Sequence, residues 1–289
     1  MIYTSDRNGR ITGNDSLQDR FLTRLYGSRT GRFLLKPLVS PAVSCFMGKI
    51  LDSRISAGIV PAFIKNTGID MWDYEPAEYI SYNDFFTRKI REGARVLDPD
   101  TEAFVSPCDS RLSVYPIDQH SAVKIKHTAY TVESLLRNKV LAERFEGGYL
   151  WLYRLCVDDY HRYIYIDDGE ESRHIRIPGV LHTVNPVAND VYPIYKENTR
   201  EYSLLRSRHF GTVLMMEVGA LMVGKIENHS ESSAVKRGQE KGNFAFGGST
   251  IILMTQKDKV LPDQDILENS RRGIETRVHL GEKTGYCPQ

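Results

Sequence analysis

The feature that most constrains this sequence is a series of short runs rich in β-branched and aromatic residues. The runs lie at residues 122–125, 149–155, 163–166, 212–218 and 250–254. Their length and composition are typical of β-strands, and turn-forming pairs such as Pro178-Gly179 separate them. One predicted helix, residues 131–144, interrupts the series because its apolar residues recur at helical spacing. The pattern predicts a β-rich domain over residues 96–289.

The first 95 residues follow a helical pattern instead. Residues 14–16 offer cap-forming side chains, and Leu17, Phe21 and Leu25 then recur at helical spacing. Further apolar groups follow, and prolines at positions 37, 41 and 61 divide them into separate helices. The sequence therefore predicts an α+β fold, in which a helical N-terminal region (residues 1–95) precedes the β-rich domain (residues 96–289).

Basic residues are concentrated near the N-terminus, although the whole chain has a formal net charge of only +1. Residues 1–60 contain nine Lys and Arg against four Asp and Glu, mixed with apolar clusters. One interpretation is a helical subdomain that packs on the rest of the chain. The other is an interfacial helix that turns its cations, from Arg20 to Lys36, toward lipid headgroups; different faces can serve both. The pattern matches no nucleic-acid-binding module, so no nucleic-acid partner is expected.

The cysteines and the apolar runs indicate the compartment. The four cysteines are scattered and include no Cys-x-x-Cys pair, which fits a reducing cytosol and predicts neither disulfides nor a zinc site. No apolar run reaches the roughly 20 residues that cross a bilayer, and the N-terminus is too polar for a secretory signal. We expect a peripheral protein on the cytoplasmic face of a membrane, without a metal.

The stretch from Lys241 to Ile252, which contains Gly247-Gly248-Ser249-Thr250, carries the strongest functional signal. A glycine pair before a strand is by itself only a turn motif. Other segments accompany it in a defined order, and they are residues 82–88, 106–109, 159–162, 178–179, 184–186, 200–203, 216–220, 223–224 and 280–282. Taken together, residues 80–285 resemble the phosphatidylserine decarboxylase family, and the N-terminal helices resemble it more loosely.

The resemblance implies a pyruvoyl-dependent, self-processing decarboxylase with residues 96–289 as its catalytic domain. Ser249 Oγ would attack the carbonyl of Gly248, and elimination and hydrolysis would then leave a pyruvoyl group at the new terminus. The products, residues 1–248 and 249–289, are expected to stay together as a heterodimer. The pyruvoyl carbonyl would form a Schiff base with the substrate amine and accept the electrons released on decarboxylation. The implied reaction converts phosphatidylserine to phosphatidylethanolamine in phospholipid biosynthesis.

Two further residues receive roles from the resemblance. His161 is expected to protonate the substrate carbon during turnover, since histidine exchanges a proton near neutral pH. Asp109 corresponds to the acidic member of the family's self-cleavage triad. Without the resemblance, a lone histidine is more often structural, and an aspartate before Ser110 is more often a turn residue. The family usually has glycine at position 110, which makes Ser110 a mild departure.

Ile164 is a larger departure from the family pattern. The family's segment commonly reads His-Arg-x-His, and its second histidine is the base that links the aspartate to the serine. Ile164 stands at that position and has no titratable group. Three outcomes follow. Self-cleavage is slow, another base such as His161 or His182 replaces the missing one, or the chain stays uncleaved as a catalytically inert lipid-binding homologue.

The substrate follows from the resemblance and not from composition. Phosphatidylserine in an anionic membrane is the expected partner, and the basic N-terminal region fits such a surface. Arg206 and Arg208 are candidates to bind its phosphate or carboxylate, as is Arg200, although each one alone is more typical of a solvated surface. A soluble amino-acid substrate and a homodimer both stay open.

Overall fold

The computed structural model describes residues 2–14, 17–125, 128–221, 225–245 and 249–288. Over these residues the predicted α+β fold is confirmed. The α-helices are α1 (Leu17–Gly27), α2 (Arg29–Leu38), α3 (Pro41–Leu51), α4 (Val60–Thr67), α5 (Tyr82–Phe86), α6 (Val132–Leu136), α7 (Lys139–Glu143), α8 (Pro186–Asn189), α9 (Ile194–Glu197) and α10 (Gln264–Arg271). Two 3-10 helices, Arg54–Ile59 and Met71–Asp73, lie between α3 and α5.

Each of the five runs predicted as strands coincides with or overlaps a strand of the structure. The β-strands are β1 (Ile2–Ser5), β2 (Ile11–Asn14), β3 (Ala103–Val105), β4 (Ser110–Pro116), β5 (Ala122–Ile125), β6 (Thr128–Thr131), β7 (Tyr149–Leu155), β8 (Arg162–Ile164), β9 (Gly169–Glu171), β10 (Ile175–Ile177), β11 (Arg200–Ser207), β12 (Gly211–Val218), β13 (Ile226–Asn228), β14 (Ala234–Val235), β15 (Glu240–Phe244), β16 (Ser249–Thr255), β17 (Leu261–Pro262), β18 (Glu275–Val278) and β19 (Lys283–Tyr286).

The largest sheet has eleven strands within the described ranges. Its order is β14-β9-β11-β12-β16-β7-β4-β18-β1-β2, and β10 pairs with β11. Strands β13-β15-β8 and β17-β19-β3 form two smaller sheets, and β5 pairs with β6. β16 lies in the middle of the largest sheet between β12 and β7, and all its residues are buried. A central strand with both faces covered requires the unbroken apolar run that the sequence has there.

Two apolar layers cover the two faces of the largest sheet. Successive side chains of a strand point to opposite faces, so Ile252 belongs to one layer and Ile251 to the other. Helices α1, α6, α8 and α9 contribute to the Ile252 layer, and the two smaller three-stranded sheets and α10 contribute to the Ile251 layer. Part of the helical region has a third, small core around Phe85 and Phe86.

The first strands join the largest sheet, although the sequence analysis predicted a helical region from residue 1. β1 and β2 form a hairpin, and β1 pairs in parallel with β18 near the other end of the chain. Asp6 accepts hydrogen bonds from the backbone N–H groups of Asn8 and Arg10, and Gly9 has φ 81°. Asn-Gly between short β-branched runs is a hairpin signal that the helical interpretation overlooked.

The predicted helix at residues 131–144 is two short helices, α6 and α7. Thr131 and Ser134 form a reciprocal capping box at the start of α6, and Arg137 ends the helix in the left-handed region at φ 52°. Asn138 then caps α7 by accepting a hydrogen bond from the N–H of Leu141. The break follows from this local capping, which competes with helix continuation.

The helices α2 and α3 leave large apolar side chains in solvent. Phe33 is 70% exposed and Phe46 63% exposed, and Ile55 in the following 3-10 helix is 90% exposed. Among the described helices, none alone is long and apolar enough to cross a membrane. By length and composition only, α2 and α3 meet that requirement as a pair, with a bend of 67° between them.

Candidate active site

Ser249 is the first residue of β16, at one end of the central strand. Its Cα pairs with that of Leu155 on β7, and the next residue, Thr250, pairs with Val218 on β12 and Arg154 on β7. The Ser249 side chain is fully buried, and its Oγ has no hydrogen-bond partner among the described residues. A buried hydroxyl without a partner costs about 1–3 kcal/mol. Such a group in a native fold is a candidate for chemistry.

The predicted cleavage-site glycines, Gly247 and Gly248, lie outside the described residues. The structure describes both ends of the connection that contains them. The N–H of Phe244 donates to the carbonyl of His161 at 3.0 Å, and the N–H of Ala245 donates to the carbonyl of Lys225 at 3.1 Å. The chain therefore leaves β15 beside His161 and re-enters the described structure at Ser249, four positions after Ala245.

Asp109 lies at the same end of the largest sheet as Ser249. Arg111 of β4 and Thr250 of β16 both pair with Arg154 of β7, so the residues just before them share one edge. Asp109 accepts hydrogen bonds from Arg95 Nη2 at 2.7 Å and from the N–H of Leu280 at 2.8 Å.

His279 Nδ1 lies 3.7 Å from Asp109 Oδ1. Burial acts to raise the pKa of Asp109, but His279, Arg95 and the N–H of Leu280 outweigh it and lower that pKa well below its usual range. Asp109 is therefore a firmly ionised carboxylate at neutral pH.

His161 is fully buried at the point where the helical region meets the sheet. Its Nδ1 donates to the carbonyl of Asp159 at 2.9 Å, which places the Nδ1 proton and makes Nε2 the nitrogen that can take up or release a proton. The ring of Phe86, from α5, lies with its centroid 4.0 Å from that of the imidazole.

The segments singled out in the sequence converge on this edge. Arg162 donates to the carbonyl of Thr87 at 2.8 Å, and Arg88 donates to the carbonyls of Asp158 and Asp159 at 3.3 Å. These bonds join residues 82–88 to residues 159–162. Residues 280–282 bind residues 106–109 in the same way, because the N–H of Ser106 donates to the carbonyl of Glu282 at 2.8 Å. Four segments scattered over the sequence thus lie together at one end of β16.

Ile164 stands beside the Asp109 segment. Its backbone N–H donates to the carbonyl of Pro107 at 3.0 Å, two residues before Asp109, and its side chain is buried. Position 164 therefore lies next to the segment that carries Asp109, and the side chain there has no titratable group. The predicted relay from Asp109 to Ser249 therefore has no base at position 164.

Comparison with known proteins decides the family. The phosphatidylserine decarboxylase family model matches residues 82–286. A phosphatidylserine decarboxylase proenzyme 2 from Clostridium acetobutylicum is 46% identical over 262 residues, covering 90% of each chain. A phosphatidylserine decarboxylase proenzyme from Clostridium novyi is 40% identical and covers 99% of each chain, and one from Fusobacterium nucleatum is 36% identical over 98% of this chain and 96% of its own.

The chain belongs to the phosphatidylserine decarboxylase family. It is accordingly a carboxy-lyase, as the sequence analysis predicted. Within this family member, the structure brings Ser249, His161, Asp109 and Ile164 to one edge of the largest sheet. The roles of these residues stay predictions.

Asp159 and Arg111 are members of this edge that the sequence analysis did not assign. Arg111 forms an ion pair with Asp159, whose carboxylate also accepts from the N–H of Cys156 at 2.7 Å. Burial raises the pKa of Asp159, against the opposing effect of Arg111. Asp159 lay within a segment that matched the family, whereas no local pattern marks Arg111 or the Asp109 partner Arg95.

Possible metal ligands also occur at this edge. One ligand atom each from Cys156, Asp158 and Asp159 lies within 4.8 Å of the others. Arg111 is within 3.7 Å of Asp158 and contacts Asp159, and Arg154 donates to Cys156 Sγ at 3.0 Å. Two guanidinium cations therefore satisfy these atoms, and we assign no metal to them.

His182, the predicted substitute base, lies in an aromatic cluster under α1. Its ring stacks on Tyr192 at 4.5 Å, and Tyr26 OH lies 3.3 Å from Nδ1. Glu197 lies 3.7 Å from Nε2, and burial lowers the pKa of the imidazole. Both ring nitrogens thus face groups other than Ser249. A role as processing base would require the imidazole to leave this cluster.

The predicted substrate-binding arginines do not lie beside Ser249. Arg206 pairs with Thr212, six residues along β12 from Val218 at the Ser249 edge, which is about 20 Å at roughly 3.3 Å per residue. Its side chain is exposed and contacts Glu170, and Arg208 follows in the turn beyond β11. Antiparallel pairing carries this end of β11 to the opposite edge of the sheet, so the structure does not bring Arg206 and Arg208 together with Ser249, and their substrate-binding role stays a prediction.

Arg200 has a structural environment. Its guanidinium is buried and donates to the backbone carbonyls of Leu135, Lys196, Asn198 and Ser134. Burial lowers its pKa to about 10. All the hydrogen bonds described for this side chain go to carbonyl groups of α6 and of the segment around α9, so Arg200 ties these elements to the sheet.

Proposed function

We propose that this protein is a pyruvoyl-dependent decarboxylase that converts phosphatidylserine to phosphatidylethanolamine, with the pyruvoyl group derived from Ser249. The observation that carries the proposal is the fully buried Oγ of Ser249 at the start of a central strand, beside the family's segments and with no hydrogen-bond partner in the described part of the chain. The named substrate of its curated relatives supports phosphatidylserine over a free amino acid.

The Ser249 position suits a group attached to the end of a chain. β16 pairs over its length with β12 and β7, so residues 250–255 hold the new terminus in place without any linkage through Gly248. When present, the pyruvoyl group supplies a carbonyl that accepts the electron pair left by departing carbon dioxide. Leu155, opposite Ser249, and His161, at the same edge, are the neighbours that would hold it.

Formation of the group requires only this chain and water. Ser249 Oγ attacks the carbonyl carbon of Gly248, the peptide C–N bond breaks, and an ester forms in its place. A base removes the Cα proton of Ser249, and the ester C–O bond breaks to leave the Gly248 carboxylate and a dehydroalanine. Water then replaces the nitrogen, which leaves as ammonia. The fragments 1–248 and 249–289 remain one folded unit because β16 is a central strand.

The missing histidine at position 164 makes this maturation slow or rerouted. Processing occurs once per molecule, so it tolerates a rate far below that of turnover. In serine hydrolases, a site that lacks a triad member still accelerates the reaction roughly 10³- to 10⁴-fold. His161 is a titratable candidate to take over, because its peptide carbonyl accepts a hydrogen bond from Phe244, at the entrance to the processing connection.

His161 also suits the proton transfer of turnover. Its Nδ1 proton is held by the Asp159 carbonyl, so proton exchange during turnover would take place at Nε2. The imidazole lies at the contact between α5 and the sheet, and burial there excludes water that would otherwise compete for the substrate carbon. We assign to His161 the protonation of that carbon after carbon dioxide leaves.

The lipid is presented at the membrane surface by the helical region, on the cytoplasmic face. Exposed Phe33, Phe46 and Ile55 would enter the interface, while Arg29, Lys36 and Lys49 are exposed beside them and would meet anionic headgroups. Helix α5 connects this surface to the active-site edge, since Phe86 contacts His161.

The central experiment is intact mass under denaturing conditions, combined with an assay on phosphatidylserine vesicles. The purified parent is expected to give two chains, the smaller being residues 249–289 with a carbonyl at its terminus, and to form phosphatidylethanolamine. Ser249→Ala is expected to stay whole and inactive, and Ser113→Ala, a buried serine of β4, is the matched control that still cleaves. A parent that stays uncleaved would instead support the inert, lipid-binding homologue.

Membrane docking is tested separately by flotation with vesicles. The Phe33→Ser/Phe46→Ser variant is expected to lose binding to vesicles that contain phosphatidylserine, because the apolar insertion is removed. Val140→Ser removes a similarly exposed side chain from α7 and is expected to bind as the parent does. Equal binding of all three proteins would contradict the assignment of α2 and α3 to the membrane surface.

A further inference from the structure

A fully buried cluster of charged side chains lies between β15 and the largest sheet. Lys241 has no exposed surface, and its Nζ lies 3.0 Å from Glu217 Oε1, 3.0 Å from Asn228 Oδ1 and 3.4 Å from Glu171 Oε1. The Glu217 side chain is also fully buried. Removing such ions from water costs several kcal/mol each, so the cluster is weak evidence for stability alone. The proposed chemistry at Ser249 does not use it.

Within this cluster, the positions of Lys241 and Glu217 in the topology indicate a role beyond stability. Lys241 belongs to β15, the last described strand before the processing connection. Glu217 belongs to β12, where it pairs with Ile251 of β16, two residues after Ser249. The ion pair therefore links the strand that enters the cleavage site directly to the sheet that receives the strand leaving it.

The Glu217 side chain lies on the same face of the largest sheet as the Ser249 side chain. Side chains two apart on a strand share a face, so Ser249 and Ile251 point the same way, and Glu217, opposite Ile251, joins them. One strand spacing of about 4.8 Å and two residues of about 3.3 Å each separate Glu217 from Ser249, less than about 10 Å between their Cα atoms.

The backbone of β15 has an irregularity at Lys241 that sets the direction of this side chain. The pairing of β15 with β8 shifts register between Glu240 and Gly242, with Lys241 as the extra residue. A bulge of this kind turns a side chain to a new direction and recurs beside active sites. The backbone of the next residue, Gly242, approaches the carbonyl oxygen of Glu227 so closely that a Cβ there would lie 2.2 Å from it, which leaves no room for a side chain.

From these observations we infer that the Lys241–Glu217 ion pair is a positioning device for self-cleavage. It holds β15, and with it the start of the connection to Gly248, at a defined place relative to Ser249. The inference rests on the proposed self-processing of Ser249. Charged hydrogen bonds are directional, whereas apolar contacts are not, so an apolar pair of similar size would preserve the core and lose the alignment. A misplacement of about 1 Å can slow a reaction roughly 100-fold.

The test compares cleavage rate with stability in a Lys241→Met/Glu217→Met variant. Glu171 keeps three other donors, from Tyr165, Ser203 and His174, so this variant leaves no unpaired carboxylate there. Cleavage into residues 1–248 and 249–289 is followed after cell-free translation, and Tm is measured in the Ser249→Ala background. We expect cleavage to be about 10- to 100-fold slower while Tm stays within a few degrees of the parent.

Asp167→Asn is the matched control. Asp167 is a buried carboxylate that accepts hydrogen bonds from Ser207 and His209 at the opposite end of β11. Its substitution is expected to lower Tm without slowing cleavage. If the double variant cleaves within twofold of the parent rate, the inference is overturned. If it fails to fold, Glu217→Gln replaces it, with about 10-fold slower cleavage expected and equal cleavage overturning the inference in the same way.

Hydroxylamine separates positioning from proton removal. It splits an accumulated ester, so it restores cleavage when the attack of Ser249 Oγ is intact and only the elimination fails. We expect no restoration in the double variant, because misalignment prevents the ester from forming, and full restoration would overturn the inference. A parent chain that never cleaves overturns the proposed function as well, whereas the other contrary results leave that function standing.

Discussion

The helices α2 and α3 and the central strand β16 are both rich in apolar side chains, but they place them in opposite surroundings. Phe33 and Phe46 are mostly exposed, whereas Ile251 to Met254 have no exposed surface. Apolar burial stabilises a fold in proportion to the area removed from water, so the strand contributes to the core and the helices largely do not. An apolar surface left in solvent over neighbouring helices is typical of a binding surface. In the proposed function, the sheet carries the chemistry and the helices contact the lipid.

The largest expected effect is on decarboxylation, and it tests whether the sheet and the helices have separate roles at His161, where the two regions meet. His161→Ala is expected to reduce decarboxylation of phosphatidylserine by about 10²- to 10⁴-fold, because it removes the group that we propose protonates the substrate carbon. Vesicle binding is expected to be unchanged, since the helices stay intact. Loss of turnover and of binding together would show that the two regions do not act separately. Turnover and flotation are measured on the same preparation.

The second effect concerns stability. Ile252→Ala is expected to lower the free energy of unfolding by about 2–5 kcal/mol, because it creates a cavity in the central strand. Phe33→Ala, which removes a larger side chain from an exposed position, is expected to change it by less than about 0.5 kcal/mol. Both values come from denaturant unfolding in the Ser249→Ala background. Similar losses for the two variants would mean that the helix surface is part of the core.

The third effect is a loss of acid stability at the sheet edge. The pKa of Asp109 is lowered in the folded protein, so its contribution to stability is present above the ordinary aspartate pKa near 4 and disappears as the pH falls below it. Asp109→Asn is expected to be less stable than the parent at pH 7, with a difference that shrinks as the pH drops below about 4. A difference independent of pH would indicate that ionisation of Asp109 does not contribute.

The smallest effect concerns the missing base. Ile164→His restores the histidine that the family pattern has beside Asp109, and we expect cleavage about 10-fold faster than in the parent. Ile164→Leu is the control for packing at this buried position and is expected to cleave at the parent rate. Cleavage after cell-free translation provides the rates. If Ile164→His cleaves no faster, then the parent has already replaced the base, and His161→Ala becomes the variant that should slow processing.

Much of the fold was accessible from local patterns. The helices of residues 17–86 and the strands β5, β7, β12 and β16 follow from periodicity, because local burial requires it. The β1–β2 hairpin was missed although Asn8-Gly9 is a known turn signal, since a helical interpretation was extended over it. The break between α6 and α7 depends on caps at Thr131 and Asn138, and periodicity does not detect caps.

The candidate site was predictable only in part. Ser249, His161 and Asp109 came from segments that match the family, and the structure brings all three to one edge of the sheet. Arg206 and Arg208 were chosen by residue type, and the pairing of β11 with β12 carries them to the opposite edge. Residue type alone cannot tell the two ends of a strand apart, because they share composition and differ only in what they pair with.

The sequence by itself therefore determined the family, the serine with its glycine neighbours, and the absence of a histidine at position 164. Only the tertiary structure decided that Asp109 lies beside Arg95 and His279, that His182 contacts Tyr26, and that Lys241 pairs with Glu217. The physical reason is that these contacts join residues far apart in the chain. Strand order and register create them, and neither is written in any one segment.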